Sequence, residues 1–193
     1  MKHLEHFHEL KSLTRKQKFF LLSLLPVYFM VIGLFLQPIQ EIGPGIVRLI
    51  KEPDFLITDY FVVGGVGAAL INAGALTLMS IGIIYFMGMD MDGHTITSSC
   101  LMFGFSLFGK NIVNIWPIIA GTFLYAKARR EPFGKYVSVS LLATALAPVV
   151  SYVALDNGFG NLWWGIAVGL LIGFVLPPLS AYTYKIQNGM NLY

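Results

Sequence analysis

Hydrophobic and polar positions along this chain fall in long blocks rather than in short alternations. Four apolar blocks, residues 19–36, 61–87, 136–154 and 162–184, are each long enough to cross a membrane. At about 1.5 Å per helical residue they match or exceed a hydrocarbon core of roughly 30 Å. A fifth apolar region, 96–126, is interrupted. Ile96–Phe108 and Ile112–Ala126 are separately too short to span, and Gly109-Lys110-Asn111 stands between them. Glycine favours the position just past a helix C-terminus and asparagine caps helix N-termini. The tripeptide therefore predicts the end of one half-helix and the start of another. The whole pattern predicts an all-α polytopic bundle of about four full spans plus a re-entrant half-helix pair over 96–126.

Detail within the blocks refines this. Pro26 predicts a kink in the first span. Block 61–87 would run about 40 Å as a helix, so it must tilt, protrude or break. Gly65, Ala69 and Ala73 share one helical face, and Gly64, Ala68 and Asn72 another. Gly165, Gly169 and Gly173 form two overlapping GxxxG units. Small residues let helix backbones approach closely in lipid, so these faces predict packing contacts. Trp163, Trp164, Tyr182 and Tyr184 flank the last span as interfacial anchors. Outside the blocks, residues 1–18 are basic, with Leu4, Phe7, Leu10 and Leu13 at every third position, the mark of a helix lying along headgroups. Segment 37–59 mixes Pro, Gly and both charge signs, and predicts a loop with one interfacial turn around Ile46–Ile50.

Composition agrees with the blocks. Only 12% of the 193 residues are charged, 56% are hydrophobic, and the mean hydropathy is +0.70. A soluble domain carries about a quarter charged residues, so lipid must cover surface that water usually wets. The first block follows a long polar segment and precedes LQPIQEIGPG, which has no small-x-small cleavage site, so it is a retained span. The single cysteine, Cys100, excludes an intrachain disulfide and reads as a small packed side chain.

Placement of charge sets an expected orientation. Lys and Arg number five in 1–18, four in 127–135, one in the tail and two in 37–59. The positive-inside rule puts 1–18, 127–135 and the tail in the cytoplasm. Four spans achieve that only if 96–126 enters and leaves on one side. The expectation is a multi-pass protein of a bacterial cytoplasmic membrane with both termini cytoplasmic.

Lys110 is the leading candidate for chemistry. An ammonium at membrane depth costs about 2.5–3.5 kcal/mol on insertion scales unless it meets water or a partner. Near a half-helix N-terminus the dipole disfavours it further, and an anion would relieve both terms. Asn111 and Asn114 are placed to line the same spot, with Asn72 a neighbour from the long helix, as a solute-binding set. The competing reading has Lys110 snorkelling or capping carbonyls, with the asparagines as caps. Asp90, Asp92 and His94 form a weak hard-metal set; Asp92-Gly93 also makes an ordinary turn. The cluster His3, His6, His8 and Glu9 lacks a recognised ligand spacing and reads as solvated residues of the interfacial helix. There is no GxSxG elbow, HExxH helix, Gly-rich phosphate loop or CxxC pair, and no cofactor is predicted. The basic clusters flank spans, so their partner is the lipid bilayer rather than nucleic acid.

The stretches ALINAGALTL and DGHTITSSCLMFGFSLFGKNIVNIWPIIAGTFLYA and the ending NGMNLY, with a distinctive FGKN core, resemble an uncharacterised bacterial domain-of-unknown-function family of polytopic membrane proteins. The resemblance covers approximately Asp59–Tyr193. It implies members about twice this length with two related halves, this chain resembling the first half or one protomer of a two-part assembly. It implies no substrate. The expected function is a transporter or channel subunit for a small polar or anionic solute, completed by a second homologous half or a homo-oligomer. The alternatives are a metal-dependent membrane enzyme using Asp90–His94, or a structural subunit without a pathway.

Overall fold

The computed structural model describes residues 13–55, 57–156 and 160–189, without the side chains of 185–189, and all regular structure among them is helical. The predicted interfacial helix of the N-terminal segment, with His3, His6, His8 and Glu9, lies outside the described residues, as do the last four residues of the tail.

The first span, α1 (Arg15–Leu36), starts four residues before Phe19 because Thr14 forms a capping box with Gln17. Arg15, Lys16 and Lys18 therefore ride on its first turns. Segment 37–59 departs from the predicted loop: Ile39–Lys51 is a helix, α2. Its Pro and Gly read as breakers, yet Ile42, Gly45 and Leu49 recur at helical spacing and are buried together. Glu41 in its first turn and Arg48 and Lys51 in its last suit the helix dipole.

The over-long block breaks at Gly65 into α3 (Tyr60–Gly64) and α4 (Val66–Phe86). Gly65 has φ +90° and ψ 161°, a conformation almost confined to glycine. It thus forms the break, while Gly33, Gly67 and Gly74 make the close approach of α1 to α4. A Cβ on Gly33 would lie 3.0 Å from the Gly67 carbonyl oxygen, and one on Gly74 would strike Met30. Beside them, Gly45 of α2 packs on Gly64 and Ala68. With Ala68, Ala69, Ala73, Leu76 and Ile84 fully buried, α4 is the central helix.

Region 96–126 forms two short helices, α5 (Gly93–Phe105) and α6 (Trp116–Ala128), of 13 residues and so about 20 Å each. Their outer ends lie at the same end of the bundle. Arg15 donates to the carbonyls of Tyr85 and Met89, just before α5, and a Cβ on Gly134, just after α6, would lie 3.7 Å from the Met87 carbonyl oxygen. The connection 106–115 therefore forms the inner tip of a hairpin. Cys100 lies exposed on α5 rather than packed.

The expected regular span 136–154 is Phe133–Leu155, and it changes pitch midway: a 3-10 turn (Phe133–Tyr136), α7 (Val137–Ala143), a second 3-10 turn (Thr144–Leu146) and α8 (Ala147–Leu155). Pro148 explains the second turn, since its ring has no N–H and excludes the carbonyl four residues earlier. The last helix, α9 (Leu162–Gly189), lays its glycines against α8 and α6. A Cβ on Gly165 would lie 2.6 Å from Ala154 Cβ, one on Gly169 2.5 Å from Pro117 Cβ, and one on Gly173 would strike the Ile118 carbonyl. Thr122 then donates to the Gly173 carbonyl at 3.0 Å.

Arg15–Leu36, Val66–Phe86, Phe133–Leu155 and Leu162–Tyr184 are long and apolar enough to cross a bilayer. Their outward faces carry Phe20, Phe35, Trp163 and Leu171, all more than 60% exposed. This is the surface of a multi-pass membrane protein.

Candidate functional site

Residues 106–115 are irregular, and although Phe108, Ile112 and Val113 face outward, Ser106, Lys110, Asn111, Asn114 and Ile115 are all under 5% exposed. A buried loop must find partners for its backbone polar groups. Three asparagines supply them. Asn72 of α4 donates to the carbonyls of Ser106 and Lys110, both at 2.8 Å. Asn111 Oδ1 accepts from the Val113 and Asn114 N–H groups, while its Nδ2 donates to Tyr60 Oη and the Leu49 carbonyl. Asn114 Oδ1 accepts from the Asn111 N–H, and its Nδ2 donates to the Gly109 carbonyl (2.9 Å), Ser151 Oγ (2.8 Å) and Asp54 Oδ2 (3.4 Å).

This corrects three expectations. Asn111 caps a turn at 112–115 rather than a helix, because α6 starts only at Trp116. Lys110 consequently stands away from a helix N-terminus, and the dipole contributes nothing to its position. Gly109, with φ +90°, is a turn glycine within the loop rather than the helix-end glycine expected, because α5 ends at Phe105 with Ser106 as its cap.

The structure brings Asn72, Lys110, Asn111 and Asn114 together, but only their amides and backbones meet. The Lys110 side chain turns the other way, to Met102 Sδ at 3.4 Å and over the Phe105 ring at 5.4 Å. At 1% exposure it neither reaches solvent nor caps a helix-end carbonyl, and among the described residues no oxygen accepts from its ammonium. Thioether and ring face are weak substitutes for a carboxylate or water.

Asp54 lies on the opposite side of the loop, and sequence reasoning missed it. It is fully buried, with Tyr60 Oη donating to Oδ2 at 3.0 Å, while Oδ1 has no partner among the described residues. Asp54 lies outside the four spans, and burial, only partly offset by its hydrogen bonds, pushes its carboxyl up to about 7. The only hint in the sequence was an acid set between Pro53 and Phe55, in a segment that otherwise reads as loop. Next to this cluster a cavity of about 670 Å³ opens between α2, the loop, α8 and α9. Asn111, Asn114 and Ser151 form its polar floor, Lys51 stands on its wall, and most other lining groups are apolar.

The metal candidates are occupied elsewhere. Asp92 Oδ1 accepts from the Thr95 N–H at 2.8 Å and caps α5, and that bond holds its carboxyl below the usual range. Asp90 is exposed, 3.9 Å from Arg15. Among the described residues no three His, Cys, Asp or Glu side chains gather as a metal site would require.

No curated protein and no solved structure matches the chain. A family model described as "Protein of unknown function (DUF1576)" matches residues 39–193, from the start of α2 rather than from Asp59. The match takes in every element of the buried polar cluster, and by it the chain belongs to the DUF1576 family.

Proposed function

We propose that this chain is a transporter or channel subunit for a small anionic or polar solute, with Lys110 as the residue that meets the solute. One observation carries the reading. A buried ammonium without an oxygen acceptor costs several kcal/mol at membrane depth, and an anion would supply both the missing charge and the missing acceptor. The asparagine framework supports it by holding the loop backbone rigid while leaving the ammonium unpaired.

In this reading α5 and α6 form a re-entrant hairpin, since each is shorter than a bilayer core and their outer ends meet at one end of the bundle. The basic residues at that end, among them Arg15, Lys127, Arg129 and Lys135, make it the cytoplasmic side of a bacterial inner membrane, with both chain termini there. A hairpin entered from one face completes no path alone, so a second homologous half or a second copy would supply the rest. The rival is a structural subunit, favoured by the saturation of the asparagines within the loop.

Melting curves and flux measured on the same proteoliposomes separate the two, with chloride, phosphate and acetate as probes. Lys110→Met should melt at or above the wild-type temperature and lose anion flux. Lys110→Arg should restore flux only in part, since a planar guanidinium replaces a compact ammonium poorly. A Lys110→Met variant destabilised by about 1–3 kcal/mol, the usual cost of an orphaned polar contact, with unchanged flux per folded molecule, would end the solute-site reading.

A further inference from the structure

Asp54 is the one fully buried acid among the described residues, and the proposed role of Lys110 does not use it. Its surroundings discriminate between possible ligands. Both side chains that reach Oδ2, Tyr60 and Asn114, do so as hydrogen donors, so they do not form the oxygen cage of about six acceptors that a hard metal ion requires. The cavity stops at Asn114 and Ser151, one side chain short of Asp54, which leaves no space for a hydrated ion. A proton needs no space. Oδ1, the oxygen that no donor reaches, is where it would sit, and a buried neutral acid costs far less than a buried unpaired carboxylate.

Charged and titratable neighbours leave that preference intact. Glu52, on the same segment, raises the proton affinity further by its negative charge. Tyr60, at the start of α3, donates to Oδ2. From α8 come Ser151, which is uncharged, and Tyr152, whose ring packs on Phe55. Lys51 ends α2 exposed, and the Lys110 ammonium turns to Met102. Neither lysine forms an ion pair with Asp54 among the described residues.

We infer that Asp54 is a reversible proton-binding site, filled and emptied from the 670 Å³ cavity by way of the Ser151 hydroxyl. Since Oδ1 has no hydrogen-bond partner, release first turns the carboxyl O–H toward the neighbouring Ser151 hydroxyl. That O–H bond then breaks, its proton passes to Ser151 Oγ, and the serine's own proton passes to water in the cavity, uptake running in reverse. The Asn114 amide ties this site to the loop, because its Nδ2 touches Asp54 Oδ2, Ser151 Oγ and the Gly109 carbonyl together. Ionisation of Asp54 strengthens the bond it accepts from that amide and draws Nδ2 away from Ser151 Oγ and the Gly109 carbonyl, which changes the lock on 106–115. In the transport reading this makes the proton the coupling ion. The coupling rests on the Lys110 proposal; the proton site does not.

Carboxyl-13C-aspartate NMR of the full chain in nanodiscs tests the site directly. The chain has five aspartates, Asp54, Asp59, Asp90, Asp92 and Asp156. One should titrate at about pH 7 and vanish from the Asp54→Asn spectrum. The absence of any aspartate titration near neutral pH, or a neutral transition that persists in Asp54→Asn, would overturn the site. If Asp54→Asn does not fold, the wild-type titration decides alone, since Asp54 is the only one of the five that is fully buried. Ser151→Ala should move the midpoint up, since the Ser151 hydrogen bond holds it down, and slow hydrogen–deuterium exchange of the protonated carboxyl band in the infrared; unchanged exchange would overturn the Ser151 route. Loss of the neutral titration leaves Lys110 flux untouched, and loss of the Lys110 reading leaves the titration untouched, so the two proposals fail separately.

Discussion

The chain interrupts its helices at two glycines of positive φ, and the two interruptions are finished differently. At Gly65 the freed groups find partners. The Gly64 carbonyl accepts from Gln37 and Arg48, the Val63 carbonyl from Arg48, and the Ala68 N–H donates to Gln37 Oε1. No charge is left bare there. Around Gly109 the backbone is satisfied as thoroughly, by Asn72, Asn111 and Asn114, yet the loop has an unpaired ammonium on one side and a carboxyl with a bare oxygen on the other. In lipid an orphaned backbone group is costly enough that both breaks had to be completed. The charges left over at the second break are what a purely structural break would have avoided. On the transport reading proposed above, that contrast makes Gly65 architecture and 106–115 the working part.

Asn114→Ala should give the largest effect. It removes the acceptor of the Asn111 N–H and a donor to the Gly109 carbonyl, Ser151 and Asp54, leaving several buried groups short of partners. At about 1–3 kcal/mol per orphaned group, unfolding in mild detergent should show a loss of about 3 kcal/mol or more. A change below about 1 kcal/mol would mean that the loop is held by something other than its amides.

Gly65→Ala should come next, at about 2 kcal/mol, because alanine rarely adopts φ +90° and its Cβ would lie 2.6 Å from the Gln37 amide. Flux per folded molecule should not change. A folded Gly65→Ala protein with impaired flux would make the first break functional and dissolve the contrast.

Much of this architecture was legible beforehand, for a physical reason. Spans are set by block length and hydropathy, which a sequence displays directly, so the four spans and the paired short helices could be read, while block 61–87 showed only that it must tilt, protrude or break. The GxxxG face on α9 was legible too, because contact through glycine depends on a local repeat. Helix α2 was not, since Pro44 and two glycines obscured the Ile42–Gly45–Leu49 face that tertiary contact stabilises. At the site, Lys110 and the three asparagines stood out because polar residues are rare in apolar blocks. Asp54, Tyr60 and Ser151 did not. They come from two separate segments, 52–60 and α8, and only the packing of both against the loop makes them neighbours.

The smallest effect belongs at the outer end of the hairpin, where Asp92 is exposed and its role as cap or metal ligand can be separated. As a cap it accepts the Thr95 N–H, and asparagine performs that task about as well. Asp92→Ala should therefore cost about 0.5–1 kcal/mol, while Asp92→Asn should cost almost nothing. The pH dependence has a definite sign. The Thr95 N–H holds the Asp92 carboxyl below its ordinary value, so the folded state binds this proton more weakly than the unfolded chain. The contribution is then full above the usual carboxylate range and fades as pH falls through the lowered value. Asp92→Asn should remove that slope without lowering stability at neutral pH. If Asp92→Asn were as damaging as Asp92→Ala, and added magnesium or manganese stabilised only the wild type, the carboxylate would be a metal ligand. The outer end of the hairpin would then rank with 106–115 as a site of chemistry.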